Sequence, residues 1–188
     1  MSEEHIKIPM ERIAVIIGTD GEMKKKIEDE TQTSLEIDST EGLVHIVSKP
    51  DSENPLAVWK ARDIIKAIGR GFSPEKALRL VDEETFLEII DLESFFGRNE
   101  KAIKRVKGRI IGESGKTRQL IEETTGAAIS VYGDTVSLIS DLESSKIAKK
   151  AVMMLIDGLS HSTVNQYLYK KRRELKQERT NLWKPTPP

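Results

Sequence analysis

Apolar positions along the chain fall into short blocks whose period switches back and forth between that of a strand and that of a helix. Residues 5–9 alternate weakly and predict a short strand, while Ile13, Ile16 and Ile17 recur at helical spacing and predict a helix over residues 10–17. A turn at Gly18–Gly21 follows, then a helix over 22–31 with Met23 and Ile27 four apart. Residues 34–38 and 43–48 alternate as two strands around a turn at 38–42. Asn54-Pro55 predicts the cap and first position of a longer helix, striped by Val58, Ala61, Ile65 and Ile68 and stopped near Gly69 and Gly71. Ser73-Pro74 opens a short connecting helix over 74–81.

The second half runs through the same order: a strand at 85–92, a basic helix at 99–111, a turn at Gly112–Gly115, and a helix at 116–125 stopped by Gly126. Strands at 128–132 and 135–140 flank Gly133-Asp134, and a long helix covers 142–159. A further basic helix is predicted over 161–181, and residues 184–188, with three prolines, predict an extended tail.

This parallel is a repeat in the sequence itself. At an offset of 94 residues, Ile16-Ile17-Gly18-Thr19-Asp20-Gly21 meets Ile110-Ile111-Gly112-Glu113-Ser114-Gly115. Ile27 then meets Ile121, Thr31 meets Thr125, and Leu35 and Ile37 meet Ile129 and Val131. A coincident Gly-x-x-Gly pair alone would mean little; a matching helix and strand behind it mark a duplicated unit. The predicted units are residues 4–71 and 84–159, joined by a helical connector at 72–83 and followed by a C-terminal segment at 160–188.

Composition narrows the chemistry. No apolar run approaches the 18 or so residues of a membrane span, and the acidic N-terminus Met1-Ser2-Glu3-Glu4-His5 is unlike a secretory signal. The absence of cysteine excludes disulfides and thiolate metal sites and fits a cytoplasmic location. A net charge of −1 over 188 residues conceals two basic segments. Residues 101–118 carry Lys101, Lys104, Arg105, Lys107, Arg109, Lys116 and Arg118 against Glu113 alone, and residues 170–184 carry seven basic side chains against two acidic ones. Such runs are also the ordinary make-up of solvated helix faces.

The order strand, helix, Gly-x-x-Gly, helix, strand, strand, helix, carried by Ile16–Gly21 with Ile27 and by Ile110–Gly115 with Ile121, resembles the type I KH domain. The resemblance implies an α+β fold of two tandem KH domains, each a three-stranded antiparallel sheet packed against three helices, and a non-enzymatic role in binding single-stranded RNA. Glycines let the backbone approach a phosphodiester chain, and the helix after the loop offers unpaired N–H groups and a positive dipole end. KH domains clamp about four nucleotides in this way. The implied RNA contacts are Gly18, Thr19, Asp20, Gly21, Lys24 and Lys25 in the first unit. In the second they are Lys107, Arg109, Ile111, Gly112, Glu113, Ser114, Gly115, Lys116, Arg118 and Ile129. The expected apolar groove floor comprises Ile17, Ile27 and Leu35, and correspondingly Ile111, Ile121 and Ile129. Asp20 in the first loop should repel phosphate, so the second unit, with its basic flanks, should dominate affinity. Lys104, Arg105, Tyr167, Lys170, Lys171, Arg172 and Arg173 form a candidate additional surface for RNA or a partner.

The run Gly-Arg-Ile-Ile-Gly-Glu-Ser-Gly-Lys-Thr at 108–117, the short connector, and Tyr167-Leu168-Tyr169-Lys170-Lys171-Arg172-Arg173 together resemble the archaeal Dim/Pno pre-ribosomal RNA processing factors. That resemblance implies action near the 3′ end of small-subunit rRNA, partnership with the Nob-type endonuclease, and contact with the alpha subunit of translation initiation factor two. No cofactor or metal is expected. A KH adaptor in RNA degradation or translation is the alternative. A P-loop hydrolase is the weaker rival: Gly115-Lys116-Thr117 ends like a P-loop, but the glycine that should stand five residues earlier is Ile110. His5, His45 and His161 are widely spaced, and no nucleophile–base constellation is evident.

Overall fold

The computed structural model describes residues 3–52 and 54–182. The first unit is β1 (Glu3–Lys7), α1 (Met10–Ile17), α2 (Glu22–Thr31), β2 (Thr33–Asp38), β3 (Leu43–Ser48) and α3 (Ala57–Gly69). A connector of α4 (Pro74–Ala77) and a 3-10 turn (Leu78–Val81) leads to the second. That unit is β4 (Phe86–Asp91), a single-turn α5 (Glu93–Phe96), α6 (Glu100–Ile111), α7 (Lys116–Thr125), β5 (Ala128–Tyr132), β6 (Thr135–Ser140) and α8 (Leu142–Ile156). A 22-residue α9 (His161–Leu182) closes the described chain. The predicted tail at 184–188 lies outside the described residues. The single turn at Glu93–Phe96 has no counterpart in the first half and is absent from the sequence-based prediction.

Among the described residues the strands form two antiparallel three-stranded sheets, ordered β1-β3-β2 and β4-β6-β5. Each unit ends in its longest core helix, which is the type I order. The first-unit helix starts later than Asn54-Pro55 suggests. Asn54 Oδ1 accepts from Leu56 N–H (2.8 Å) and the Asn54 carbonyl from Ala57 N–H, so this pair forms a turn that leads into α3. Asn99 and Asp141 do cap their helices, accepting from Ala102 N–H and Ser144 N–H.

Each helix layer packs on one face of its own sheet. Ile13, Ile16, Ile27, Leu35, Val44, Ile46, Ile65 and Ile68 fill the first core. Ile103, Val106, Ile110, Ile121, Ile129, Val136, Leu138 and Val152 fill the second. The outer face of the second sheet is buried as well: Ala128 and Ile139 join the first unit's core, and Leu87 packs against it. Central strand β6 is therefore buried at every position, including Thr135, Ser137 and Ser140. Helix α3 serves this double packing, with eight of its thirteen residues buried.

Polar contacts lock the same joint. Arg12 donates to the Ile68 carbonyl (2.8 Å) and the Phe72 carbonyl (2.6 Å) and lies 5.9 Å from the Tyr132 ring centroid. The Tyr132 hydroxyl donates to Glu11, and Ser130 Oγ donates to the Arg70 carbonyl at 2.8 Å. Lys76 pairs with Glu122 (3.1 Å), and Arg79 donates to the Gly126 carbonyl (3.1 Å). Gly71 sits in this contact: a Cβ there would fall 2.8 Å from both Ser130 Oγ and Tyr132 Cβ.

Candidate RNA interface

The two Gly-x-x-Gly turns have the same backbone. Gly18, Asp20 and Gly21 take φ of 73°, 52° and 80°; Gly112, Ser114 and Gly115 take 75°, 51° and 79°. Two constraints select the glycines. A Cβ on Gly18 would lie 2.7 Å from Met23 Cβ, and one on Gly112 would lie 2.1 Å from Thr117 Oγ1, so the first glycine lets the second helix pack close. At Gly21 and Gly115 nothing lies within 4 Å; there the left-handed φ, and an open approach from outside, favour glycine. Beyond each turn, α2 and α7 begin with no side-chain cap, so their first-turn N–H groups and positive dipole ends face the loop.

Behind each turn a carboxylate fixes the facing strand. Glu28 Oε1 accepts from Leu35 N–H at 2.7 Å, and Glu122 Oε1 accepts from Ile129 N–H at 2.9 Å. Each carboxylate also pairs with the basic residue one turn earlier: Lys24–Glu28 at 3.9 Å and Arg118–Glu122 at 4.0 Å. Glu28 and Glu122 coincide at the 94-residue offset, as do Lys24 and Arg118, and that coincidence is the sequence signal by which these positioning carboxylates could have been found. Glu28 stands in an acidic run with Asp29 and Glu30, yet it anchors a strand.

Several expected contacts have other tasks. Arg109 Nε donates to the Leu155 carbonyl (3.4 Å) and its Nη2 to Leu159, while His161 Nε2 donates to the Arg109 carbonyl (2.9 Å). Arg109 thus ties α6 to the C-terminus of α8 and the start of α9. Lys107 Nζ donates to the Gly133 carbonyl (2.7 Å) and holds the β5–β6 turn. Ile129 is 3% exposed and belongs to the core, as do Ile27, Leu35 and Ile121; of the expected groove-floor residues, Ile17 and Ile111 are half-buried. Tyr167 is half-buried beneath Lys150, whose ammonium is 5.6 Å from the ring centroid, and burial pushes its hydroxyl pKa upward.

The remaining predicted residues lie at the surface. Thr19, Asp20, Lys25, Glu113, Ser114 and Lys116 are exposed, with Lys24 and Arg118 half-buried. Lys104, Arg105, Lys170, Arg172 and Arg173 are exposed, whereas Lys171 is half-buried and pairs with Glu174. Helix α9 lays Val164 and Leu168 into the second core, with Tyr167 packed against it. The segment before Gly112 is helix α6, so the strand a P-loop requires is replaced by a helix.

Two β-α-α-β-β-α units, each with a left-handed Gly-x-x-Gly turn opening into a helix, define a tandem type I KH protein. A family model described as a eukaryotic-type KH domain (type I) matches residues 86–173, and a KH-domain model matches residues 3–67. A KH domain-containing protein of Methanocaldococcus jannaschii is 49% identical over 183 residues, covering 97% of this chain and 80% of the relative. The crystal structure of Dim2p from Pyrococcus horikoshii superposes with a TM-score of 0.84 at 52% identity, covering 90% of this chain and 99% of that one. A chain in the crystal structure of the P. horikoshii complex of a/eIF2alpha, aDim2p and rRNA gives 0.87 at 51% identity, covering 92% and 95%. A protein of unknown function from Aeropyrum pernix gives 0.89 at 38% identity over 97% of both chains. The chain belongs to the KH-domain proteins of the archaeal Dim2p family.

Proposed function

We propose that this protein is a single-stranded RNA-binding ribosome assembly factor that acts near the 3′ end of small-subunit rRNA in the cytoplasm, and that it has no catalytic activity of its own. The observation that carries the reading is the second Gly-x-x-Gly turn. Gly112 lets α7 pack close to the turn and Gly115 leaves its outside open, the uncapped α7 N-terminus lies behind it, and Lys116 and Arg118 stand on its edge. The P. horikoshii relative, half identical to this chain, is described in complex with rRNA and a/eIF2alpha, which supports rRNA as ligand and the alpha subunit of initiation factor two as a partner. The Nob-type endonuclease is the second proposed partner, because a protein seated at that 3′ end would stand beside the nuclease that trims it.

In this reading Gly112, Glu113, Ser114 and Gly115 clamp the phosphodiester chain with Lys116 and Arg118, and Ile111 meets the bases. Gly18, Thr19, Asp20, Gly21, Lys24 and Lys25 form a weaker copy, because Asp20 sets a carboxylate beside the phosphate path. Crosslinking in cells followed by sequencing of bound RNA tests the assignment. Enrichment at the 3′ end of small-subunit rRNA supports it; recovery of unrelated transcripts would move the protein to another RNA process.

A further inference from the structure

Helix α6 of the second unit has twelve residues where α1 of the first has eight, and the added first turn, Glu100 to Ile103, brings Lys101 into line with Lys104 and Arg105. At about 100° per residue, Lys101, Lys104, Arg105, Gly108 and Gly112 fall on one arc opposite the buried Ile103, Val106 and Ile110. The cations flanking this arc, Lys107 and Arg109, are engaged with backbone carbonyls. Lys101, Lys104 and Arg105, on the arc itself, are exposed and have no acidic partner among the described residues.

Gly108 is the second, independent observation. It is exposed in the last turns of a regular helix, has no need of a left-handed φ, and a Cβ there would meet nothing within 4 Å. Glycine weakens a helix relative to alanine, and no packing contact in the fold explains it here. A surface kept clear of side chains beside a row of unpaired cations suits close approach by another backbone. The corresponding positions of the first unit are Lys7, Met10, Glu11 and Ala14; Glu11 is occupied by Tyr132.

We infer that this face of α6 is a track for the RNA backbone, leading into Gly112 and lengthening the second unit's footprint beyond the Gly-x-x-Gly clamp. The inference rests on the RNA-clamp reading above. The test uses the full chain, with single-stranded RNA of about four nucleotides from the 3′ end of small-subunit rRNA and the same RNA extended to about eight at either end. In the wild type, extension at one end should tighten binding about tenfold. In the K101S/K104S/R105S variant that gain should vanish, four-nucleotide binding should stay within about twofold, and the logarithmic salt slope on the longer RNA should flatten by about 2. Gly108→Ala should raise the melting temperature by about 2–4 °C while lowering the gain from extension. A triple variant that keeps the full gain makes the stripe a solvated or protein-facing surface and overturns the track. Equal losses on short and long RNA replace the track with a diffuse field and overturn it too. If the wild type binds neither RNA, while Gly115→Asp changes nothing, the clamp reading falls and the track falls with it.

Discussion

Single residues divide between those that can meet RNA and those that hold the site. Gly115→Asp adds a side chain at φ 79° and a carboxylate in the clamp, so RNA affinity should fall by about tenfold or more in a filter-binding or fluorescence assay. The same change at Gly21 should cost less, because that loop already carries Asp20; equal losses would remove the ranking of the two units. Arg109→Ala separates the two kinds of residue. It strips donors from the Leu155 and Leu159 carbonyls and should cost about 1–2 kcal/mol of stability by denaturant titration, with RNA affinity changed less than Lys116→Ser changes it. Sequence alone ranks Arg109 with Lys116, since both are cations flanking the loop. What separates them is that α8 ends beside Arg109, a contact made 46 residues away in the chain.

At the scale of elements, periodicity located the helices and strands because most of them, β6 excepted, have one buried face, and that face writes its period into the sequence. Helix α9 shows both the reach and the limit of this. Leu168 and Leu175 on one face predict docking, and Val164 and Leu168 are buried while Leu175 is half-buried. The basic run does not act as a block: Lys171 turns inward to Glu174, and Lys170, Arg172 and Arg173 face outward. Replacing these last three with Ser should leave the melting temperature nearly unchanged and reduce affinity for rRNA or for the nuclease partner several-fold. Unaltered affinities for both would reduce α9 to a cap on the second unit.

Across the whole molecule, the decisive feature is the joint between the units. The first core continues into the outer face of the second sheet, and Gly71 lets the Arg70–Phe72 segment pass close to Ser130 and Tyr132. Gly71→Val should destabilise the protein by about 1–3 kcal/mol and separate the unfolding of the two units in calorimetry. Tyr132→Phe removes the hydrogen bond to Glu11 and should cost about 1 kcal/mol. That bond to Glu11, with burial and the carboxylate charge adding to it, raises the Tyr132 pKa. Its contribution is therefore complete below about pH 10 and is lost as pH rises through the raised value, so wild type and Tyr132→Phe should converge in stability at strongly alkaline pH. Electrostatics also act at this scale: with roughly three to five phosphate contacts, the logarithmic salt slope of RNA binding should lie near −2 to −4. A flat response would place the basic segments outside the RNA path.

The sequence by itself determined the duplicated unit, its element order, the two glycine turns and the basic bias of the second copy. All of these are local patterns of period, punctuation and charge that repeat 94 residues apart. Only the tertiary structure decided which cations are tied to backbone carbonyls, which isoleucines are fully buried, and that Glu28 and Glu122 anchor strands. It also decided how the units meet. That interface buries Ser130, Thr135 and Ser137 beside Ala128 and Ile139, so its face mixes polar and apolar positions and its burial is not marked by an apolar period in the sequence. Such contacts join residues far apart in the chain, and no local spacing records them.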